Sequence, residues 1–356
     1  MLLSIESSCD DSSLALTDIA SAKLVFHHKI SQDSAHSVYG GVVPEIASRL
    51  HTKGLPEILA ILKGELGDFT RLKAVAITTE PGLSVSLIEG LMMAKLLALS
   101  LRIPLIAINH LIGHFYSLFI NQREAIFPMS VLLVSGGHTQ IMQARSEEEF
   151  LIIAQSLDDS FGESFDKVAK MLSLGYPGGP IIESYASKLS PTTRIHSLPL
   201  PLKDKRGFSF SGLKNATRLL IESLSSHDPS KVDSRLKVDS SLNESDKALV
   251  CASFQKAAIA HISNQVEKYL KHKNNDGIRD FAIVGGASSN ASLRAEIERL
   301  CTRFGLRLHL APLEFCADNA AMIGRAAIPE WQKGAFADSI AQEVSPRSTT
   351  NYLRTL

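Results

Sequence analysis

No CxxC pair occurs in this sequence. Cys9, Cys251, Cys301 and Cys316 stand apart, which excludes a disulfide framework and fits a reducing compartment. Nor is there net charge: 37 basic residues meet 37 acidic ones, so global electrostatics does not advertise a nucleic-acid partner. Any RNA contact has to come from a local basic patch or from a partner protein. The first residues, MLLSIESSCDD, carry no basic stretch and turn acidic at once, which is not the pattern of a signal peptide. The longest apolar run, 83–108, is interrupted by Glu89, Lys95, Arg102 and Pro104. It predicts a buried helix feeding a strand rather than a membrane span. A soluble cytoplasmic protein with no membrane partner is expected, and 356 residues leave room for two domains.

The stretch at 105–140 organises what is present. His110 and His114 are four residues apart, so on a helix both imidazoles project from one face and can share a divalent metal. A histidine pair in an apolar segment is also common as plain structure. The apolar strand at 130–134 then stops at Ser135-Gly136-Gly137-His138-Thr139. Two glycines let backbone approach a ligand, and their amides can face an anion, although glycines after a strand can equally be a simple turn. A metal face followed by an anion-binding turn points to a phosphate-containing substrate.

Along the chain, strands at 2–5 and 13–17 flank Glu6-Ser7-Ser8-Cys9-Asp10-Asp11-Ser12, a hairpin whose tip presents carboxylates and hydroxyls. An acidic tip is ordinarily a solvated turn. A loop at 36–45 opens a helix over 44–62, and a strand at 74–78 meets Glu80-Pro81-Gly82 before a helix over 84–100. Residues 130–144 repeat the opening strand, turn and strand, which predicts two duplicated α/β domains facing a central cleft. The expected boundaries are 1–108, completed by helices at 318–335, then 109–317, and a tail at 336–356. A helix is expected from 160 to 175, with Asp166 near its start, then a shaped loop at 176–180. A second loop opens a helix at Ser211, read as its cap. The stretch 223–246 is polar and free of aromatics, read as a mobile insertion dispensable for folding. A helix at 247–271 precedes a strand, a Gly285-Gly286 turn and another helix. Asp318 lies at or near a helix start, where capping is its ordinary role.

HLIGH, LVSGGHTQ, GESFDKVAKMLSLGYPGGP, FSFSGLKNA, GGASSN and DNAAMIG, in this order, resemble the TsaD (YgjD or Gcp) family over roughly residues 1–324. The resemblance implies an actin-like ATPase fold and transfer of a threonylcarbamoyl group from L-threonylcarbamoyl-adenylate. The acceptor it implies is the adenosine just 3′ of the anticodon in tRNAs reading ANN codons. It implies metal ligands at His110, His114 and Asp318, with iron as the family's metal and zinc or another divalent ion compatible with the same donors. Substrate-binding positions fall on Leu133, Val134, Ser135, Gly136, Gly137, Asp166, Gly179 and Asn290. Glu183 stands where some relatives carry a further substrate-binding acid. A TsaB-like paralogue and a TsaE-like ATPase are implied as partners. Asp10 and Asp11 are the candidates for the base that takes the acceptor amine's proton.

Three positions depart from the family pattern. Ile112 stands where many relatives have glutamate, Asp11 replaces the last glutamate of ETSCDE, and Glu80 replaces the first glycine of Gly-Pro-Gly. Because Ile112 neither accepts nor donates a hydrogen bond, Ile112→Glu is expected to be tolerated. A zincin-type metallopeptidase needs glutamate beside the first histidine, where this chain has Leu111. An actin-like kinase or ATPase has no use for a histidine pair, since magnesium prefers oxygen ligands. A regulatory paralogue without activity would not need His110, His114, Asp166 and Asp318 intact.

Overall fold

The computed structural model describes residues 1–190, 192–202, 206–225, 242–272, 277–349 and 353–355. The chain splits into two compact units: residues 1–129, 143–151 and 309–356 form the first, and residues 130–142 and 152–308 the second.

The first unit begins with β1 (Leu2–Glu6), β2 (Asp11–Thr17) and β3 (Leu24–Ser31), followed by the short α1 (Asp33–Ser37) within the stretch read as loop. Next come α2 (Pro44–Leu66), β4 (Ala74–Glu80), α3 (Ser84–Leu101), β5 (Leu105–Asn109) and α4 (His110–Tyr116). The sheet order is β3-β2-β1-β4-β5. β1 pairs antiparallel with β2, with Glu6 opposite Ser13, and parallel with β4. β4 and β5 are buried almost throughout, as parallel strands covered by helices must be. The helix at 84–101 is less buried than the sequence suggests. Its inner face carries Leu87, Leu91, Ala94 and Ala98, while Val85, Ile88, Met92, Leu96 and Leu99 form an exposed apolar stripe. It is long and apolar enough to cross a membrane by those criteria alone.

The second unit holds most of a six-stranded sheet. Its elements in chain order are β6 (Met129–Val134), β7 (Thr139–Ser146), β8 (Glu149–Gln155), α5 (Phe161–Met171), α6 (Gly178–Ser187) and α7 (Ser211–Ser225). α8 (Glu244–His272), β9 (Asp280–Val284), α9 (Ala291–Arg303) and β10 (Arg307–Leu310) follow. α10 (Ala320–Lys333) and β11 (Leu353–Thr355) belong to the first unit. The order β10-β9-β6-β7-β8-β11 contains the pattern of the first sheet: β7 and β8 run outward in succession on one side of β6, as β2 and β3 do beside β1, and the later β9 and β10 fill the other side.

Several boundaries differ from the sequence expectation. α5 ends at Met171, and the stretch read as a loop at 176–180 already contains the start of α6. Asp166 Oδ1 accepts from Gly178 N at 2.7 Å, and Pro180 sits in the first turn, where a missing amide hydrogen leaves no intrahelical bond unmade. α7 is opened by Asp158 rather than by Ser211: Oδ1 accepts from Phe210 N at 2.8 Å and from Ser211 N at 3.4 Å. Residues 226–241 of the expected insertion lie outside the described residues, but its edges are structural. Ser225 ends α7, α8 begins at Glu244, and Leu242 is buried in the second unit's core.

The domain boundary drawn at 108/109 also moves. α4 packs on α10 inside the first unit, so closely that a Cβ on Gly113 would lie 2.7 Å from Ile323 Cδ1. A Cβ on Gly324 would lie 2.6 Å from Thr17 Oγ1, so α10 lies equally close to the sheet. Buried Arg325 donates to Phe119 O, Gln122 O and Arg123 O, joining α10 to the segment after α4.

Candidate functional site

His110 and His114 sit on one face of α4, rings 4.6 Å apart, because β5 ends at Asn109 and Asn109 caps the helix at once. Asn109 Oδ1 accepts from Leu111 N at 2.9 Å and Ile112 N at 3.4 Å. Asp318 reaches both rings from the turn before α10. Its Oδ1 is 3.4 Å from His110 Nε2 and 3.2 Å from His114 Nε2. The cap of α10 is Asn319, whose side chain accepts from Met322 N at 2.8 Å, so Asp318 is released from the capping role the sequence allowed it. The start of α10 is tied to β2 by Ala320 N donating to Ser13 Oγ and to β1 by Ser4 Oγ donating to Ala320 O.

These three residues offer donor atoms within 4.8 Å of one another, and they pass a test of fit to a metal. His114 is fully buried, its Nδ1 has no hydrogen-bond partner among the described residues, and its Nε2 faces Asp318 Oδ1 at 3.2 Å without the alignment of a good hydrogen bond. A buried polar atom left so is costly unless something else satisfies it, and a cation at Nε2 would. Two neutral nitrogens and a carboxylate are a ligand set for a divalent transition metal with open positions.

Behind His110 stands a support to which no role is assigned from the sequence. The His110 Nδ1 faces Glu6 Oε2 and Ser8 Oγ, each at 3.2 Å. Glu6 is fully buried, with Thr78 Oγ1 donating to Oε2 at 2.5 Å and Ser8 N to Oε1 at 2.6 Å. A carboxylate on Nδ1 fixes the tautomer that leaves Nε2 for a metal. The signal was an acid closing an otherwise apolar strand, since a buried carboxylate needs partners.

Charge at this site is strongly displaced. Burial would lower the His110 imidazolium, but Asp318 and Glu6 overcome it and raise its pKa to about 10. Burial opposes ionisation of Asp318, and His110 and His114 outweigh that, holding the carboxyl well below its ordinary range. Burial lowers His114, and the His110 charge lowers it further. Without a metal, a proton on His110 therefore sits between two carboxylates, and metal binding has to displace it.

Asp10 and Asp11 lie in the same unit, at the β1–β2 tip. Burial pushes Asp11 up to about 7, with Asp318 and Asp10 adding to it, against Lys29, whose Nζ is 2.8 Å from Oδ2. A carboxyl with that pKa can accept a proton near neutrality.

The remaining candidates all belong to the second unit, where a ring of contacts joins them. Leu133 and Val134 are buried at the end of β6, and Ser135 N donates to His138 O at 2.8 Å to close the following turn. Gly162 N donates to Ser135 O, and Ser160, the cap of α5, donates to Gly136 O at 2.5 Å. Further along α5, Asp166 holds Gly178 at the start of α6, beside Gly179. Glu183 on α6 accepts from Ala291 N at 2.7 Å, next to Asn290. Asn290 caps α9 through Leu293 N and donates to Gln255 Oε1 at 3.0 Å. Gly285 completes the ring, since a Cβ there would lie 2.3 Å from Val134 O.

The glycines on this ring are of two kinds. Gly162, Gly178 and Gly285 have backbone within 2.6 Å of a built Cβ, so packing demands them. Gly136, Gly137 and Gly179 have nothing within 4 Å of a built Cβ, and none has the positive φ that favours glycine. Their bare backbone is presented to open space, as a ligand-approach surface would be.

A family model described as "TsaD: tRNA N6-adenosine threonylcarbamoyltransferase" matches residues 23–325. A protein of Wolinella succinogenes named tRNA N6-adenosine threonylcarbamoyltransferase is 58% identical over 351 residues, 98% of this chain and 99% of its own length. Proteins with the same name from Helicobacter pylori strain G27 and Helicobacter hepaticus are 54% and 52% identical, each covered at 98% or more of its length. Among solved structures, full-length HypF in a phosphate- and nucleotide-bound form superposes with a TM-score of 0.56 at 13% identity. It covers 98% of this chain, which spans about half (47%) of HypF. That likeness concerns the fold, which is of the actin-like ASKHA type.

Proposed function

This chain belongs to the TsaD family of tRNA N6-adenosine threonylcarbamoyltransferases, and from that premise we propose how its two sets of residues divide the work. It is an acyltransferase that modifies tRNA. The donor is L-threonylcarbamoyl-adenylate, and the acceptor is N6 of the adenosine just 3′ of the anticodon in tRNAs reading ANN codons. N6 attacks the carbamoyl carbon, the bond to the phosphate oxygen breaks, AMP leaves, and N6 loses a proton.

The leaving group of a mixed anhydride is already good, so orientation and charge stabilisation carry most of the catalysis. The adenylate lies on the second unit's ring. The amides of Gly136 and Gly137 face its phosphate, Ser135 shapes their turn through its own amide bond to His138 O, Gly179 gives the ligand room, and Asp166, Glu183 and Asn290 border it. The open space beside Gly136, Gly137 and Gly179 is the observation that carries this reading. A divalent ion on His110, His114 and Asp318 would supply fixed positive charge for an anionic group of the substrate. Iron is the expected metal, and zinc suits the same donors. Asp11, with its pKa near 7, takes the N6 proton. The acceptor base has to leave its stack in the anticodon loop for N6 to be reached. The reaction takes place in the cytoplasm, with a TsaB-like paralogue and a TsaE-like ATPase as partners.

The test is transfer of labelled threonine to tRNA from carbonate, ATP and an adenylate-forming synthase, with and without the two partners. Label should appear on tRNA and depend on this chain, and Asp11→Asn should remove an acidic limb near pH 7 from the rate profile. Phosphorylation of a small molecule without tRNA labelling would instead favour a kinase.

A further inference from the structure

Glu80 is a buried acid at the end of β4, and the tail after residue 325 lies beyond the family-model match. The structure brings the two together. Glu80 closes β4 opposite Asn109 at the end of β5. Its Oε1 accepts from Asn109 Nδ2 at 3.1 Å, and its Oε2 accepts from Thr349 N at 2.8 Å and from the Thr349 hydroxyl. Asn109 Nδ2 also donates to Ser348 Oγ at 2.6 Å. Upstream, Ser345 N donates to Thr79 O at 2.9 Å, Ala337 N to Leu105 O at 2.8 Å, and Val344 packs on the first unit's core.

We propose that residues 345–349 form a latch on Glu80 and Asn109 that sets the start of the helix bearing His110 and His114, making Glu80 a positioning residue for the metal centre. Asn109 is the hinge of the argument. Its carboxamide oxygen caps α4, and the same group's two N–H donors point to Glu80 and Ser348. The amide plane is thereby fixed from both sides. A cap held this way fixes the first turn of a seven-residue helix, which is too short to hold its shape by propensity alone. His110 is the first residue of that turn. A buried carboxylate taking three donors makes strong, charge-assisted bonds, so the anchor is firm while the tail is docked. Glu80 touches no reacting atom. It acts through Asn109, and the tail acts through Glu80.

The proposal rests on the metal reading, and its test separates the two. Wild type, Glu80→Gln, a chain ending at Arg347, the combination of both, and Thr349→Ser are titrated with Co2+ alone. Amide hydrogen exchange at Leu111 and Ile112 is followed without metal. Glu80→Gln and the truncation should each weaken Co2+ binding about tenfold, as loss of an outer-shell partner does. The combination should be no worse than either alone, because both break one chain of contacts. Thr349→Ser keeps both donors and should bind like wild type. The amides of Leu111 and Ile112 should exchange faster in the first three variants. Wild-type exchange at those amides in Glu80→Gln and in the truncation overturns the latch, whatever the metal does. Additive effects of the two changes also overturn it. Unchanged Co2+ binding by His110→Ala, alongside faster exchange in the latch variants, would remove the metal reading and leave the latch on the helix standing.

Discussion

Around the histidines of the first unit, every glycine is filled by a neighbour, whereas the ring of candidate residues in the second unit keeps three with nothing beside them. A Cβ on Gly82 would meet Ser8 O at 2.6 Å, and Gly113 and Gly324 are as tightly met. Gly136, Gly137 and Gly179 are open. Charge divides in the same way. Glu6, His110, His114 and Asp318 place ionisable groups together in a buried cluster, and each shifts another's proton affinity. The ring in the second unit is built mainly from backbone amides, caps and glycine. One region is organised for a small, highly charged ion that must be held by fixed side chains. The other is organised for a larger ligand recognised by shape and by main-chain donors.

The largest effect should come from breaking the charged side of this contrast. Asp318→Asn keeps size and leaves the Asn319 cap of α10 in place, so the fold should survive. It removes the carboxylate between the two imidazoles, and transfer activity should fall by about a hundredfold or more, with purified protein losing bound metal. Full metal content with normal activity in this variant would reduce Asp318 to a bystander.

The glycines sharpen the contrast next. Gly285 has φ near +93°, and a Cβ there would lie 2.3 Å from Val134 O, so Gly285→Ala should cost about 3 kcal/mol or more. Gly136→Ala should leave the denaturation midpoint nearly unchanged and instead weaken binding of the adenylate donor about tenfold. Stability loss at Gly136 equal to that at Gly285 would show that both are packing positions, and the division of the ring into two kinds would fail.

What was legible in the sequence follows from how local each signal is. The hairpin at the start, the α4 histidine face and the Gly-Gly turns were readable because spacing and turn residues determine them within a few positions. Asp318 as third ligand was not readable from its neighbourhood, since it lies 204 residues beyond His114, and it was carried by family resemblance. Glu6 escaped because a carboxylate at a strand end looks like turn chemistry until its three buried partners are seen. Ile112 was read as a place that would accept glutamate. It is buried against the first unit, with only 4% of its surface exposed, so a carboxylate there would be desolvated without a designed partner. The start of α6 was hidden by its own Pro and Gly residues, which normally end structure rather than begin it. The exposed stripe on α3 was hidden because composition reports apolarity, while the second face of a helix depends on what covers it.

The smallest expected effect concerns pH, and it tests whether the two units respond to acid alike. His261 on α8 is fully buried, its Nε2 accepts from Ser209 N at 3.2 Å, and its ring lies 5.4 Å from that of Phe210. Burial, with Lys268 adding to it, pushes this imidazole down to about 4. An unfolded histidine titrates near 6.5, so between these values the unfolded chain binds a proton that the folded chain refuses. Stability from this group is therefore fully present above pH 6.5 and is lost as pH falls through about 4. In the first unit, burial likewise lowers His27 to about 4, but Asp11, raised to about 7, works in the opposite direction over an overlapping window. A raised carboxyl binds its proton more tightly in the folded state, so its contribution is present at low pH and fades as pH rises from about 4 to 7. The two largely offset each other in the first unit, while Asp158, which opposes the shift of His261, does so too weakly to restore it. Urea denaturation at pH 4.5 and 7.5 should show His261→Gln losing roughly 2 kcal/mol less than wild type between the two conditions. Removing Asp11 by Asp11→Asn should steepen the same acid loss rather than relieve it. Parallel curves for wild type and His261→Gln would mean that the histidine is not the group that acid reaches.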